Sequence, residues 1–356
     1  MVTFYIHPPP PNARLQCAHF NSGHSLPTVT TDLRWCRITQ SGLLRFDGPD
    51  TQSFLQSQLT SNLQTLTASR SQYSGYCTAK GRLLACLLLW RREDAVFMML
   101  PRELCEPLRK RLSMYILRAK VKTADVSAEQ VLFGVTGAGA ASAVAKIAAI
   151  AEIAAIAAAP AAVHDVLHAD GVSMLKLPVN RYLIAAPLSA AGGIEAALTT
   201  AGAAADRTLW DALDIEAGIP SVVAATQEQF VPQTVNFDCI GAVSFDKGCY
   251  PGQEIVARMH YLGKLKQRMV RARLVANDAP AAGDKLYSAA FGDQSSGMIV
   301  SAISTASDNH EVLAVVQTSS LAGNNGNADT AADADVHSQS PTGPRLQILP
   351  LPYTVK

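Results

Sequence analysis

The chain has 356 residues, 48% hydrophobic and 17% charged, a composition that builds globular domains and excludes a disordered chain. Its 30 Lys and Arg against 29 Asp and Glu leave a net charge of +1, so no global field draws it to nucleic acid or an acidic membrane, and any anion site is local. Seven cysteines, an odd number without C-x-x-C spacing, exclude a disulfide framework and a self-contained zinc or iron–sulfur ligand set.

Residues 1–28 are rich in Pro, Asn, Ser and His and read as a flexible tail. Pro8, Pro9, Pro10 and Pro11 break any helix there, and no apolar signal core is present. The absence of an acidic residue before Asp32 fits a mitochondrial leader, whereas Arg14 as the sole Lys or Arg before Arg34 and the prolines oppose one, and a cytoplasmic protein is expected. From Trp35 to about Val126 short strands alternate with amphipathic helices. Phe54, Leu55, Leu59 and Leu63 recur at helical spacing after Asp50, a plausible cap. The unbroken apolar run from Leu83 to Trp90 predicts a buried strand. Glu103 to Met114 predicts a helix and Lys120 to Asp125 a strand.

Gly137 to Val163 is rich in alanine. Lys146, Glu152 and Pro160 interrupt it, and alanine is only weakly hydrophobic, so a pair of helices is expected rather than a membrane span. Strand and helix patterns follow, through Leu177, Tyr182 and Ile184 and then from Gly193 to Ala201. Leu209 to Ile219 reads as a helix closed by Gly218 and Pro220, and Tyr250 to Tyr261 as a short helix after a turn. After Lys264 the pattern becomes strands with Gly and Asp turns, as in a small β-barrel. Within it, residues 304–344 form a polar insert expected to be a disordered loop around one strand, Val312 to Gln317. Leu346 to Val355 reads as a closing strand. The expected organisation is therefore a tail over 1–28, a mixed body over 29–263 with its alanine-rich stretch at 137–163, and a barrel over 264–356.

Two places carry chemistry. On a wheel of Leu209 to Ile219, Leu209, Ala212, Leu213, Ile215, Ala217 and Ile219 form one apolar arc, with Asp211 and Asp214 opposite. Glu216 falls inside that arc, where an unpaired carboxylate is costly. It is either a structural partner of an Arg from another element or a ligand carboxylate that accepts the adjacent N–H donors of a pterin-like ring. Trp210, at the edge of the arc, is either core or a stacking surface for a flat ligand. The second place is Lys247-Gly248-Cys249-Tyr250-Pro251-Gly252-Gln253-Glu254. Cys249 precedes a helix and lies two residues from a Lys, and both a helix N-terminus and a cation favour thiolate. Gly248 and Gly252 allow a tight backbone, and Glu254 with Arg258 forms an i, i+4 pair. The alternative for Cys249 is a buried small hydrophobe. Lys264, Lys266 and Arg268 alternate along an expected strand, as a solvated face or an anion contact.

The stretch from Trp210 to Arg258 resembles the signature region of the YgfZ family, whose hallmark is similar to Lys247–Glu254. The blocks Phe46 to Asn62, Ala79-Lys80-Gly81 and the final LPLPYTV resemble the same family. That family is similar to the T-protein, the folate-dependent aminomethyltransferase of glycine cleavage. The resemblance implies an α+β, T-protein-like fold: two ferredoxin-like subdomains and a C-terminal β-barrel around a central folate site. It implies a tetrahydrofolate or a derivative as cofactor, with Glu216 on the pterin and Trp210, Gly248, Tyr250, Gly252, Gln253 and Arg258 in the site, and Cys249 with Lys247 as the reactive pair. A second family Trp falls at about Ser41 here, with Trp35 nearby. The segment that holds the T-protein's catalytic Asp matches Lys80 to Ala85, which has no carboxylate. The implied role is folate binding in assembly or repair of [4Fe–4S] clusters, with client enzymes or cluster carriers as partners and an indirect effect on tRNA modification. No direct contact with nucleic acid or membrane is expected. The alternatives are a one-carbon transferase and a folate-binding scaffold.

Overall fold

The computed structural model describes residues 32–150, 159–321 and 335–355. The tail over 1–28 lies outside these residues, as do 151–158 of the alanine-rich stretch and 322–334 of the polar insert.

The chain opens with β1 (Arg34–Arg37) and then builds its first sheet. That sheet comprises β2 (Ser41–Asp47), α1 (Thr51–Gln56), β3 (Gln72–Cys77), β4 (Leu83–Arg92), β5 (Ala95–Pro101), α2 (Arg102–Ser113) and β6 (Lys122–Asp125). The strand order is β3-β4-β5-β2-β6. Removing the edge strand β3 leaves the order of a ferredoxin-like βαββαβ unit. β4 is the expected buried strand because both of its faces are covered. Leu87 and Leu89 meet Leu104, Leu108 and Leu112 of α2, while Cys86, Leu88 and Trp90 face the centre of the molecule. Asp50 stands at the N-cap of α1, but its carboxylate accepts from the Lys120 backbone N–H at 2.7 Å instead of from the helix.

The second sheet is made of β7 (Gln130–Thr136), α3 (Ala140–Ile150), β8 (Val166–Ala169), β9 (Val172–Leu177), β10 (Arg181–Pro187), α4 (Leu188–Ala201) and β11 (Ala203–Ala204). Its order is β11-β1-β7-β10-β9-β8. It is again ferredoxin-like, with β1 in the place of the fourth strand and β11 beyond it, parallel to β1. Ala143, Val144 and Ile147 of α3 and Ile194 and Leu198 of α4 pack on Phe133, Tyr182 and Ile184. The alanine-rich stretch therefore supplies, among the described residues, one helix packed on the second sheet, and no described helix is long and apolar enough to cross a membrane. The two sheets meet at His164. Its carbonyl accepts from the Ser71 N–H at 2.8 Å, and its ring lies edge-on to Tyr73 at 5.2 Å.

The last sheet holds β12 (Gln267–Val275), β13 (Lys285–Tyr287), β14 (Gly297–Ser304), β15 (Asn309–Gln317), β16 (His337–Ser338) and β17 (Leu346–Leu349), in the order β16-β13-β14-β15-β12-β17. The outer strands then meet. The Ser338 N–H donates to Pro344 O at 2.8 Å and the Leu346 N–H to Val336 O at 2.9 Å, which closes the barrel.

Three expectations change here. The strand around Val312 begins at Asn309, and residues 335–344 are part of the barrel wall, with Val336 fully buried, so the insert is not a loop throughout. Its polarity misled because a two-residue strand carries almost no alternating pattern. The closing strand ends at Leu349, since Pro350 and Pro352 cannot donate to a ladder. Lys264 and Lys266 precede β12, while Arg268 turns inward and pairs with Asp238.

Candidate functional site

The three sheets face a common apolar centre, and there they leave a cavity of about 710 Å³. Its walls come from β4 and β5 (Cys86, Leu88, Met99), from the helix α5 (Thr208–Glu216) with the turn after it, and from the barrel (Val300, Ser301, Ala302). The volume is that of a site for a small organic molecule, typically about 300–1,000 Å³. Trp210, Asp211, Asp214 and Ile215 of α5 line it, as do Tyr73, Phe237 and Gln40.

The polar face of α5 is therefore a cavity wall. Asp211 Oδ1 accepts from Gln40 Nε2 at 2.7 Å, and burial raises the pKa of its carboxyl. Gln40 Oε1 is buried with no partner among the described residues, which leaves an acceptor beside a carboxylate. Asp214 Oδ1 accepts from Arg181 Nη2 at 2.7 Å, and Arg181 is completely buried. The same guanidinium lies over the Trp210 ring at 4.4 Å. The indole is also pressed against Gly134 of β7, where an added Cβ would stand 2.3 Å from Trp210 Cε3. Arg102 and Arg207, both exposed, stand on the cavity's border.

Glu216 lies one residue past this wall and is not among the residues that line the cavity. It is buried at the contact between α5 and the barrel. Burial raises its pKa, and the charge of Arg271 acts against that rise. Arg271 is itself paired with Glu311 at 2.7 Å. Ser41, at the position of the second family Trp, lines the cavity, whereas Trp35 packs on Phe133 in the layer beyond it.

The Cys249 segment lies elsewhere, on the first sheet. Gly252 has φ +83° and sits on the β3–β4 turn so closely that a Cβ would stand 2.5 Å from both Gly81 Cα and Thr78 O. Gly81, with φ +71°, faces Ile255 in return. The two motifs, Ala79-Lys80-Gly81 and Lys247–Glu254, are thus halves of one contact. α6 (Gln253–Leu262) starts there, three residues later than expected from Tyr250 onward, because Pro251 and Gly252 form a turn first. Lys247 Nζ donates to Gln56 O and Leu59 O at 2.6 Å and to Ser61 O at 2.9 Å. All three N–H bonds of the ammonium are used on carbonyls at the end of α1, and burial lowers its pKa to about 8. Lys247 therefore anchors the segment. Gln253 Nε2 donates to Lys247 O at 3.3 Å, and the Tyr250 ring is buried beside the ammonium at 5.2 Å. Gly248 and Cys249 are exposed. Cys249 is the one exposed cysteine among the described residues. Arg258 is exposed too and closes no ion pair with Glu254.

Sequence reasoning brought Trp210 to the cavity wall and missed Asp211, Asp214 and Gln40. The signal was present: two carboxylates on the polar face of a helix whose other face is core. That pattern reads as solvent exposure until the cavity is seen. No His, Cys, Asp or Glu cluster that could hold a metal ion occurs among the described residues.

Comparison with known proteins places this arrangement. No model of a known protein family matches the chain. The tRNA-modifying protein YgfZ of Sodalis glossinidius is 30% identical over 335 residues, covering 93% of this chain and 96% of that protein. The chain belongs to the YgfZ family. The YgfZ protein of Edwardsiella ictaluri is 33% identical over 317 residues, covering 87% and 89%, and that of Yersinia pestis strain Pestoides F is 30% identical over 338 residues, covering 94% of each. Among solved structures, the glycine cleavage system aminomethyltransferase T from Bartonella henselae superposes with a TM-score of 0.70 over 92% of this chain and 89% of that one, at 14% identity. The YgfZ chain thus has the α+β, T-protein-like fold, two ferredoxin-like subdomains and a barrel around one cavity.

Proposed function

We propose that this YgfZ-family chain binds tetrahydrofolate or a derivative in the central cavity and serves, through Cys249, the assembly or repair of [4Fe–4S] clusters in client enzymes, among them enzymes of tRNA modification. The curated relatives are named tRNA-modifying proteins, which supports the last part. The observation that carries the folate reading is the α5 wall. There the Asp211 carboxylate and the partnerless Gln40 Oε1 stand side by side in a cavity with Tyr73, Trp210 and Phe237. A reduced pterin presents adjacent N–H donors on a flat ring, and a carboxylate with a neighbouring acceptor receives them. Arg102 and Arg207 at the border suit the carboxylates of a glutamate tail. Tetrahydrofolate would supply a carrier for a one-carbon unit. The chain's own residues bind and orient it. The cluster is cargo, to which this chain offers the exposed thiol of Cys249.

Thermal scans with and without tetrahydrofolate test the first half. At about 100 times its Kd the ligand adds roughly 2.7 kcal/mol of stability. Asp211→Asn should lose most of the upward shift in Tm. Glu216→Gln, at the barrel contact, measures the other carboxylate. No shift at saturating ligand removes folate from the proposal. Cells lacking the protein, complemented with wild type or Cys249→Ser, test the second half through the activity of cluster enzymes. Full rescue by Cys249→Ser removes the thiol.

A further inference from the structure

α6 is a ten-residue helix that buries a single side chain, Val256. Ile255, Met259 and Leu262 are spaced i, i+4, i+7 and so form one stripe along it. Ile255 is 38% exposed and Leu262 83% exposed. Tyr261, next to the stripe, is 64% exposed. A stripe of this kind normally faces a core; here Ile255 rests partly on the Gly81 turn and Met259 is half-buried, while the Leu262 end stands open to solvent. The charges beside it are of one dominant sign: between residues 251 and 266, Arg258, Lys264 and Lys266 stand exposed against Glu254. None of the three cations is engaged in an ion pair among the described residues.

The helix is held in a fixed relation to Cys249. His260 stacks on Phe245 at 3.7 Å, and Tyr261 meets both rings edge-on at 4.8 and 6.4 Å. Phe245 begins the loop that carries Cys249, and Gly252 at the start of α6 ends it on the β3–β4 turn. The stripe and the exposed thiol are therefore parts of one rigid edge.

We propose that the Ile255–Met259–Leu262 stripe, with Arg258, Lys264 and Lys266 beside it, is the docking surface for a protein partner that offers an apolar groove bordered by carboxylates, and that docking sets the partner next to Cys249. This rests on the reading of Cys249 as the functional thiol. The charges select the occupant. A groove with acidic edges satisfies both the aliphatic stripe and the cations, in the way amphipathic helices are received by grooves. Nucleic acid would meet the cations and leave Leu262 and Met259 without a counterpart.

The test places a photo-crosslinking benzoylphenylalanine at Leu262 in cells, where exposure of the side chain leaves the fold intact, as a melting curve verifies. The expected adduct is a cysteine-ligated iron–sulfur protein, identified by mass spectrometry. It should fall about tenfold when Arg258→Glu and Lys264→Glu are combined, since paired rim charges act mainly on association. Adducts confined to a second copy, to this chain's own residues or to RNA overturn the proposal, as does an adduct indifferent to the charge reversal. Complementation separates the two claims, with cluster-dependent modifications in total tRNA as the readout. If Cys249→Ser fails to rescue and Leu262→Asp rescues fully, docking is wrong and the thiol stands. If Cys249→Ser rescues, the functional reading itself falls. Failure of both variants, with both melting as wild type does, is the result expected.

Discussion

Cys249 and its neighbour Lys247 show how much a single position depends on what its side chain reaches. Proximity in sequence suggested that the ammonium would favour a thiolate, yet the cation is turned to Gln56, Leu59 and Ser61 and holds the loop instead. What remains in favour of reactivity is exposure. Cys36, Cys77, Cys86 and Cys105 are buried, and burial pushes the thiols of Cys36, Cys86 and Cys105 up to about 11, 12 and 12 and that of Cys77 higher still. At neutral pH these four are protonated and shielded. Cys249 should therefore be alkylated at least about tenfold faster than they are, as read by peptide mass spectrometry after brief labelling. Equal rates would mean that the loop folds over the sulfur. The residues legible in advance were those whose chemistry is local, such as Trp210 and Gly252. Asp211, Asp214 and Gln40 were not, because a helix wheel cannot tell a wet surface from the wall of a cavity.

At the scale of elements, the contact between α6 and the β3–β4 turn depends on glycine. Gly252→Ala brings a methyl group into Gly81 and Thr78 at a positive φ, and should destabilise by about 2–3 kcal/mol. Gly248, four residues earlier, has open space around it, so Gly248→Ala should change stability by less than about 0.5 kcal/mol. Urea denaturation of the pair distinguishes a packing requirement from a general need for flexibility. The seam between the first two sheets carries its own signature in His164. Burial lowers its pKa to about 4 from a reference of 6.5. Between these values the unfolded chain binds a proton that the folded one refuses, so stability falls as pH drops from 6.5 toward 4. His164→Gln should flatten that part of the profile in urea melts between pH 4.5 and 7, where about 1.4 kcal/mol per pH unit is the steepest slope one group gives. Helix α2 was legible from its sequence pattern, and strand β4 from its unbroken apolar run. β16 was not, since two residues hold no period and only the barrel's closure defines them.

For the molecule as a whole, Arg268 with Asp238 is a polar link that ties the barrel to the body. The pair is bidentate at 2.7 and 2.9 Å, and both side chains are largely buried. Asp238→Ala leaves a buried guanidinium without its carboxylate and should cost about 3–5 kcal/mol. The loss should appear in thermal melts and, on the folate binding proposed above, together with a smaller tetrahydrofolate-induced shift in Tm, because the barrel supplies Val300 to Ala302 of the cavity wall. A melt unchanged by the substitution would show that the apolar centre alone holds the barrel in place. The general architecture could be read from the order of strand and helix patterns. The placement of β1 in the second sheet could not, since a four-residue strand says nothing of a partner so distant in the chain.

The docking of the final LPLPYTV segment has a consequence for how the protein comes into being. Tyr353 donates its hydroxyl hydrogen to Gly218 O at 2.8 Å, and an added Cβ on Gly218 would stand 2.7 Å from that hydroxyl oxygen. This contact clamps the end of α5, the helix that bears the cavity's carboxylates. Its two sides are 135 residues apart. At roughly 5–20 residues per second, a ribosome delivers the second side on the order of ten seconds after the first. During that interval the nascent chain can complete both ferredoxin-like sheets and seat α5 on Arg181 and Gln40, yet the turn at Gly218 still lacks its Tyr353 partner. The central cavity is therefore completed only after the barrel strands have been made, and a ribosome stalled within the barrel would hold the two ferredoxin-like sheets around an unfinished cavity.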